Sequence, residues 1–202
     1  MKIWKGCVWA ICAAAWLNML SICATAETES SASEADMDDA GVLLLFDFSR
    51  PADAEGWFIQ DDGVMGGLSQ GHFSISDAGH GVFSGDVSLE NNGGFSSVRR
   101  YMDQIDVSAY STAVLRVKGD GKRYQLHVKS DHRDWYHYSY GFQTGHDWEE
   151  IEIPLREMVP YFRGTRLDKP NYSAEALANM RLLVGNRVEE SFHLEVDRIW
   201  LK

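Results

Sequence analysis

The segment DDGVMGGLS, residues 61–69, lies between two runs of β-strand character, and so does the segment NNGGFSSV, residues 91–98. Paired glycines allow backbone conformations with positive φ, or the close approach of another backbone. Asp and Asn beside them can close turns by bonding their own backbone. Two interpretations of these first and second glycine segments stay open. They are either two structural turns, or one shared rim whose amides form a polar binding edge.

Strand patterns extend outward from both glycine segments. Between the two, Phe73 and Ile75 alternate over residues 71–77, and Phe83, Val87 and Leu89 share one face over residues 82–89. Further strands are predicted over residues 42–48, 57–60, 95–100, 113–118, 122–130, 135–142, 148–153, 181–185 and 192–201.

One helix is predicted, over residues 173–180, because Ser173 can cap it and Glu175 lies in its first turn. Residues 105–110 are predicted to link two strands, and residues 160–170 to form a loop. About ten strands with no alternation of strand and helix predict an all-β fold, a jelly-roll β-sandwich with one short helix.

The N-terminus has the pattern of an export signal. Lys2 and Lys5 precede an apolar run over residues 6–22, and Ala24-Thr25-Ala26 is a cleavage site of the small-x-small type. We therefore expect a signal peptide over residues 1–26, cleaved after Ala26, and a periplasmic or secreted protein without membrane insertion after cleavage. An uncleaved membrane anchor is the alternative. Residues 27–41 predict a disordered acidic leader, and residues 42–202 a single domain.

Charge and cysteine content exclude several classes of function. The net charge is −11 over 202 residues, a balance that disfavours binding to nucleic acid or anionic lipid. All three cysteines, Cys7, Cys12 and Cys23, lie in the predicted signal peptide. The mature chain would therefore have no disulfide, no thiol nucleophile and no cysteine-bound metal.

No catalytic constellation is evident in the sequence. His127 and His137 could face each other across a hairpin, but no HxH or HExxH spacing predicts zinc, so a surface cross-strand pair is favoured. The adjacent Asp61 and Asp62 could act as an acid pair or bind calcium, although acids in glycine-rich turns more commonly bond the backbone. We expect no cofactor, no metal and no enzymatic activity.

Three tyrosines alternate along one predicted strand, at Tyr136, Tyr138 and Tyr140, with Trp135 at the edge. Tyrosine and tryptophan offer apolar area with a polar tip, so this face could stack on a sugar or on a protein partner. Alternatively, the rings pack the sandwich, since one face of such a strand is buried.

Four motifs together resemble the complex I intermediate-associated protein 30 family. They are DGVMGG at residues 62–67, the run from Phe83 to Arg99, VKGDG at residues 117–121 and FRG at residues 162–164. The resemblance covers residues 43–201 and implies a galactose-binding-domain-like β-sandwich. It also implies a non-enzymatic, chaperone-like role as an assembly factor that binds a protein partner.

The candidate binding residues come from these motifs and from the tyrosine face. They are Asp61, Asp62, Gly63, Met65, Gly66, Gly67, Asn91, Asn92, Gly93, Gly94, Phe95, Asp120, Tyr136, Tyr138, Tyr140 and Arg163. The leading hypothesis is an exported protein-binding module whose partner is an assembly intermediate. The alternative hypothesis is a carbohydrate-binding module that uses the glycine-rich loops and the tyrosine face.

Overall fold

Two antiparallel β-sheets face each other in the computed structural model, which describes residues 41–202. The strands in chain order are β1 (Leu43–Asp47), β2 (Trp57–Ile59), β3 (Gln70–Ile75), β4 (Gly81–Val87), β5 (Ser96–Asp106), β6 (Thr112–Lys118), β7 (Arg123–Lys129), β8 (His137–Gln143), β9 (Glu149–Pro154), β10 (Val159–Phe162), β11 (Thr165–Arg166), β12 (Ala176–Val184) and β13 (Glu190–Leu201). The predicted signal peptide, and all of the predicted leader except Gly41, lie outside the described residues.

Each sheet has long central strands flanked by shorter ones. The first sheet has the order β3-β4-β13-β6-β9, and β1 also pairs with β13. The second sheet has the order β11-β10-β8-β7-β12-β5-β2. Every pairing is antiparallel, so the predicted all-β sandwich is confirmed.

The core lies between the sheets and is built from their alternating apolar residues. Phe83, Leu115 and Leu194 from the first sheet, and Leu126 and Leu182 from the second, are almost completely buried. Removing such side chains from water is the main favourable contribution to folding. Residues 41–202 contain no cysteine, so no disulfide within them adds to it.

The predicted helix over residues 173–180 is wrong. Residues 176–184 form β12, which lies between β7 and β5 in the second sheet. Leu177, Ala178, Asn179 and Met180 are all buried in succession. A strand covered on both faces shows no alternation, so tertiary packing overrides the local helix signals at its start. Among residues 41–202 the one α-helix is a single turn, α1 (Pro51–Ala54).

Two predicted connections are also partly strand. Residues 160–170 contain the hairpin of β10 and β11, whose turn at Arg163 and Gly164 has positive φ at both residues. β5 continues to Asp106, beyond its predicted end and into the predicted link over residues 105–110. Among residues 41–202, no helix has the length and apolar character needed to cross a membrane.

Candidate functional site

The two glycine segments meet at the carboxylate of Asp62, which is 3% exposed. The Ser69 hydroxyl donates to Asp62 Oδ2 at 2.6 Å, and the amides of Gly94 and Phe95 donate to the same oxygen at 2.6 and 3.2 Å. The Ser69 amide donates to Oδ1 at 3.2 Å. Asp62 therefore joins two loops that are 32 residues apart in the chain.

These hydrogen bonds keep Asp62 ionised in a buried place. Burial raises the pKa of its carboxyl group, but the hydrogen bonds from Ser69 and from the Gly94 and Phe95 amides outweigh that effect. The pKa consequently lies below its usual value. The oxygens of Asp62 already accept four hydrogen bonds from the protein, as expected for a structural turn residue.

Two glycines are required by the close packing around Asp62. A Cβ on Gly67 would lie 2.2 Å from Asp62 Oδ1, and a Cβ on Gly93 would lie 2.7 Å from Oδ2. Real Cβ atoms do not approach oxygens so closely, so glycine at these positions is explained by packing alone.

Asp61 forms a second junction, between the two sheets. Its Oδ2 accepts the Gly71 amide of β3 at 2.9 Å, and its Oδ1 accepts the Ser96 hydroxyl of β5 at 2.6 Å. Because β3 and β5 belong to different sheets, Asp61 links the layers at this edge. Asp61 and Asp62 thus bind different partners, and the described residues contain no group of three or more histidine and carboxylate side chains arranged to hold a metal.

Four further candidates of the glycine segments lie at the surface of this junction. They are Gly63, Gly66, Asn91 and Asn92, all exposed. Met65 ends the short 3₁₀ helix that begins at Asp62. The two glycine segments therefore lie together, and the polar binding edge stays a prediction.

The motif residues Asp120 and Arg163 lie in other turns. Asp120 accepts hydrogen bonds from the Lys122 ammonium at 2.9 Å, the Tyr124 hydroxyl at 3.0 Å and the His193 amide at 2.9 Å. It therefore ties the β6–β7 turn to β13. Arg163 is exposed at the tip of the β10–β11 hairpin, where its guanidinium lies 5.3 Å from the ring centroid of Phe162.

The tyrosine face does not form an exposed sugar platform, and this prediction needs correction. Tyr138 lies opposite Val128 and Tyr140 opposite Leu126, so both point to the core side of the second sheet. Tyr138 also packs on the buried Tyr172, with ring centroids 5.0 Å apart. Tyr136 is half-buried at the margin, its hydroxyl 3.2 Å from that of Tyr138.

The opposite side of the second sheet carries a row of polar residues that face away from the core. One cross-strand row runs Phe58, Arg99, Arg181, His127 and Ser139, from β2 to β8. The rows on either side of it, such as Val98, Leu182 and Leu126, belong to the core, so this row must point outward. We call this row, together with Tyr101, Gln125 and His137, the polar face.

Two histidines stack at the centre of the polar face. The predicted contact between His127 and His137 is present, but His127 is buried and lies opposite Ser139, so the pair is diagonal and is not the surface pair that the sequence predicted. The rings of His127 and His137 are 4.1 Å apart between centroids and 17° from parallel. His127 is 5% exposed, and its Nε2 lies 3.0 Å from the side-chain oxygen of Gln125. The Ser139 hydroxyl donates to that same oxygen at 3.2 Å.

The electrostatic environment keeps both histidines neutral. Burial lowers the pKa of His127 well below its usual value, and the nearby His137 and Arg181 lower it further. Burial, followed by Arg181 and Lys129, lowers the pKa of His137 to about 4. The positive charge of the polar face at neutral pH therefore comes from its arginines and from the adjacent Lys129.

Sequence reasoning missed Arg99 and Arg181. Arg181 stands inside the otherwise apolar run MRLLV, residues 180–184, which local patterns divide between a predicted helix and a predicted strand. Had the whole run been assigned to a buried strand, a lone arginine within it would have been the signal of a functional group on the outward face.

Comparison with known proteins gives the context for this site. The sequence model described as Complex I intermediate-associated protein 30 (CIA30) matches residues 46–196. A relative in Mus musculus, "Complex I intermediate-associated protein 30, mitochondrial", is 23% identical over 179 residues, which cover 77% of this chain and 55% of the relative. The chain thus spans about half the length of the curated relative that it matches.

Solved structures of carbohydrate-binding modules share the fold. The family 11 module of the cellulosomal cellulase Lic26A-Cel5E of Clostridium thermocellum has a TM-score of 0.60 and 16% identity, covering 81% of this chain and 95% of that chain. A family 11 module from the same organism, in complex with a β-1,3-1,4-mixed-linked tetrasaccharide, has a TM-score of 0.59 and 16% identity, covering 79% and 94%. At these identities the likeness is one of fold.

Proposed function

Because the chain belongs to the complex I intermediate-associated protein 30 family, we propose that it is a non-catalytic binding module that holds a protein partner, in the manner of a chaperone or assembly factor. The observation that supports this proposal is the polar face. His127 is buried there and Arg181 is largely buried, although both point away from the core. A sheet face that merely met solvent would carry exposed polar residues instead.

The composition of the polar face also suits a protein interface. Phe58 and Tyr101 are 38% and 47% exposed and lie beside Arg99. Aromatic residues and arginine are the residue types that contribute most to protein–protein binding, because they bury a large area and form several directional contacts. The mouse relative is named for its association with an intermediate of complex I, and we extend only the general role of binding a protein to this chain.

We place this role outside the cytoplasm, on the basis of the sequence pattern over residues 1–26. The partner would then be a protein of the cell envelope or a protein that passes through it.

A pull-down from detergent-solubilised envelope tests the protein-binding role. Tagged full-length chain is compared with the double variant Phe58→Ala/Tyr101→Ala and with Val188→Ala. Val188 is 49% exposed in the turn between β12 and β13, so it serves as the matched control for loss of exposed apolar area. We expect one set of proteins to be enriched with the wild type and with Val188→Ala, and lost with the double variant. No enriched protein with the wild type would overturn the proposal.

Carbohydrate binding is the second candidate, and the shared fold favours it. A related fold holds a mixed-linked tetrasaccharide in a family 11 module. In this chain we place the sugar on the polar face, because Tyr138 and Tyr140 pack against the core. Affinity electrophoresis in gels containing mixed-linked β-glucan tests this candidate. Retardation that is lost in Phe58→Ala/Tyr101→Ala would support it, and unchanged mobility of the wild type would remove it.

A further inference from the structure

We infer that Arg99 and Arg181 form a carboxylate-binding site on the polar face, and that its ligand is an acidic segment of the partner protein. This inference rests on the proposed function and specifies the chemistry by which the partner is recognised. It depends on three features of the described residues: the pairing of the two arginines, their missing partners and the surroundings of Arg99.

The two arginines are placed where they repel each other. Arg99 of β5 lies directly opposite Arg181 of β12 in the strand register. Side chains in such positions have Cβ atoms about 5 Å apart, and like charges there destabilise the sheet. Lys129, on the far side of Arg181 from Arg99, adds a third positive charge that acts on both arginines. Sheet stability alone gives no reason for this arrangement.

No carboxylate of the described residues neutralises either arginine, although the guanidinium of Arg181 lies 5.4 Å from the ring centroid of Phe95. The Nε atoms of Arg99 and Arg181 are buried and have no hydrogen-bond partner among residues 41–202. Within the same residues, no carboxylate forms an ion pair with either guanidinium. Buried polar groups are normally satisfied, so two unsatisfied guanidinium donors on neighbouring strands indicate a missing ligand.

The chemistry of the missing ligand follows from these donors. Two guanidinium groups offer parallel N–H pairs that match the two oxygens of a carboxylate. The protein has a net charge of −11, so this cluster of cations runs against the overall charge and would attract an anion locally. The stacked His127 and His137 are neutral and add no competing negative charge.

The surroundings of Arg99 favour a protein segment over a sugar acid. The Arg99 guanidinium lies 4.7 Å from the ring centroid of Phe58 and 5.0 Å from that of Tyr101. The two rings therefore hold Arg99 in position, and the faces they turn to its guanidinium are not free to stack on a sugar. Their exposed edges instead provide apolar area beside the charge, which suits an acidic residue flanked by apolar side chains.

Fluorescence anisotropy with the purified full-length chain tests this site. The probe is a labelled hexaglutamate peptide at low ionic strength, and a hexaglutamine peptide is its neutral control. We expect the wild type to bind only hexaglutamate, and the affinity to fall on the order of tenfold in Arg181→Gln and in Arg99→Gln, as for loss of a charge-assisted contact. Arg187→Gln, at an exposed turn, removes the same charge and should leave the affinity within about twofold.

Thermal unfolding provides a second measurement. Because Arg181 is a largely buried, unpaired cation in the free protein, Arg181→Gln should unfold at a higher temperature than the wild type when no ligand is present. Hexaglutamate should raise the unfolding temperature of the wild type and not that of the variant. A structural role for Arg181 predicts the reverse for the free protein, a lower unfolding temperature in the variant. If Arg181→Gln does not fold, Arg99→Gln carries the binding test.

Three results would overturn the inference. They are equal binding of hexaglutamate by wild type and Arg181→Gln, an equal loss in Arg187→Gln, and tighter binding of trigalacturonate than of hexaglutamate.

The pull-down separates this inference from the proposed function. If partner proteins still co-purify with Arg181→Gln, the protein-binding role stands and the carboxylate site is wrong. If hexaglutamate binding depends on Arg181 but no protein co-purifies with the wild type, the site stands and the protein-binding role fails.

Discussion

Single carboxylates hold together the part of this protein that the glycine segments form. Asp62 accepts four hydrogen bonds within a buried space, and Asp61 bonds one strand in each sheet. In both cases the carboxylate accepts short hydrogen bonds from a hydroxyl and from backbone amides. At the residue scale, the two acids of the first glycine segment therefore have a structural explanation that is independent of any ligand.

Replacing Asp62 by Asn should destabilise the protein by about 3 kcal/mol, because an amide group would face donors that need an acceptor. Urea unfolding measures this difference, and Asp103→Asn, on an exposed residue of β5, is the control. The pKa of Asp62 is lowered in the folded state, so its contribution is complete above about pH 4, the unfolded value, and is lost as the pH falls through the folded value. Equal stability of Asp62→Asn and the control would contradict this account.

The stacked histidines should make the protein sensitive to mild acid. Their pKa values are lowered on folding, that of His137 to about 4, whereas an unfolded histidine titrates near pH 6.5. Between about pH 6.5 and 4 the unfolded state therefore binds more protons than the folded state, and the free energy of unfolding declines as the pH falls.

His137→Gln should make this decline less steep. His72→Gln, an exposed histidine of β3, should leave it unchanged. Chemical denaturation at a series of pH values measures both slopes. Parallel curves for wild type and His137→Gln would show that the pair does not titrate in this way.

At the scale of elements, the sequence predicted the strands well where one face is buried and failed where both are. β3, β4 and β13 show clear alternation and lie within one or two residues of their predicted positions. β12 has buried residues on both of its faces, so its local signals suggested a helix start that the surrounding sheet overrides. The sequence motifs located both glycine segments. Their contact is the hydrogen bond between Asp62 and the Gly94 amide, which are 32 residues apart, and no local pattern reveals it. The polar face was not predicted either, because its residue Arg181 lies in β12, a strand that the local pattern does not reveal.

The loops on either side of β3 and β4 should be sensitive to a single added methyl group. Gly67→Ala and Gly93→Ala each place a Cβ within 3 Å of the Asp62 carboxylate, and we expect a loss of about 2 kcal/mol from this overpacking. Gly63→Ala is the matched control within the same motif, since its Cβ would have no atom within 4 Å. The midpoint of urea unfolding orders the three variants. A loss in Gly63→Ala as large as in Gly67→Ala would show that flexibility, not packing, explains these glycines.

At the scale of the whole molecule, an acidic sandwich carries a locally cationic face, and the sequence pattern of residues 1–26 predicts export. Export has a clear chemical consequence, because cleavage after Ala26 would remove Lys2 and Lys5 and change the net charge from −11 to −13. The more acidic mature protein would repel anionic lipid and nucleic acid more strongly. An acidic partner would then be attracted only by the local positive charge of the polar face.

Cleavage is measured by intact-mass analysis of the protein recovered from the periplasmic or culture fraction of expressing bacteria. We expect a chain that begins at Glu27, with the mass of residues 1–26 missing. The variant Ala26→Leu should accumulate uncleaved in the membrane fraction, because the cleavage site requires a small residue at that position. Ala32→Leu, which makes the same exchange outside the cleavage site, should be processed as the wild type. Recovery of the full-length wild type from membranes would instead mean that residues 1–26 are an anchor that keeps the protein attached to the membrane.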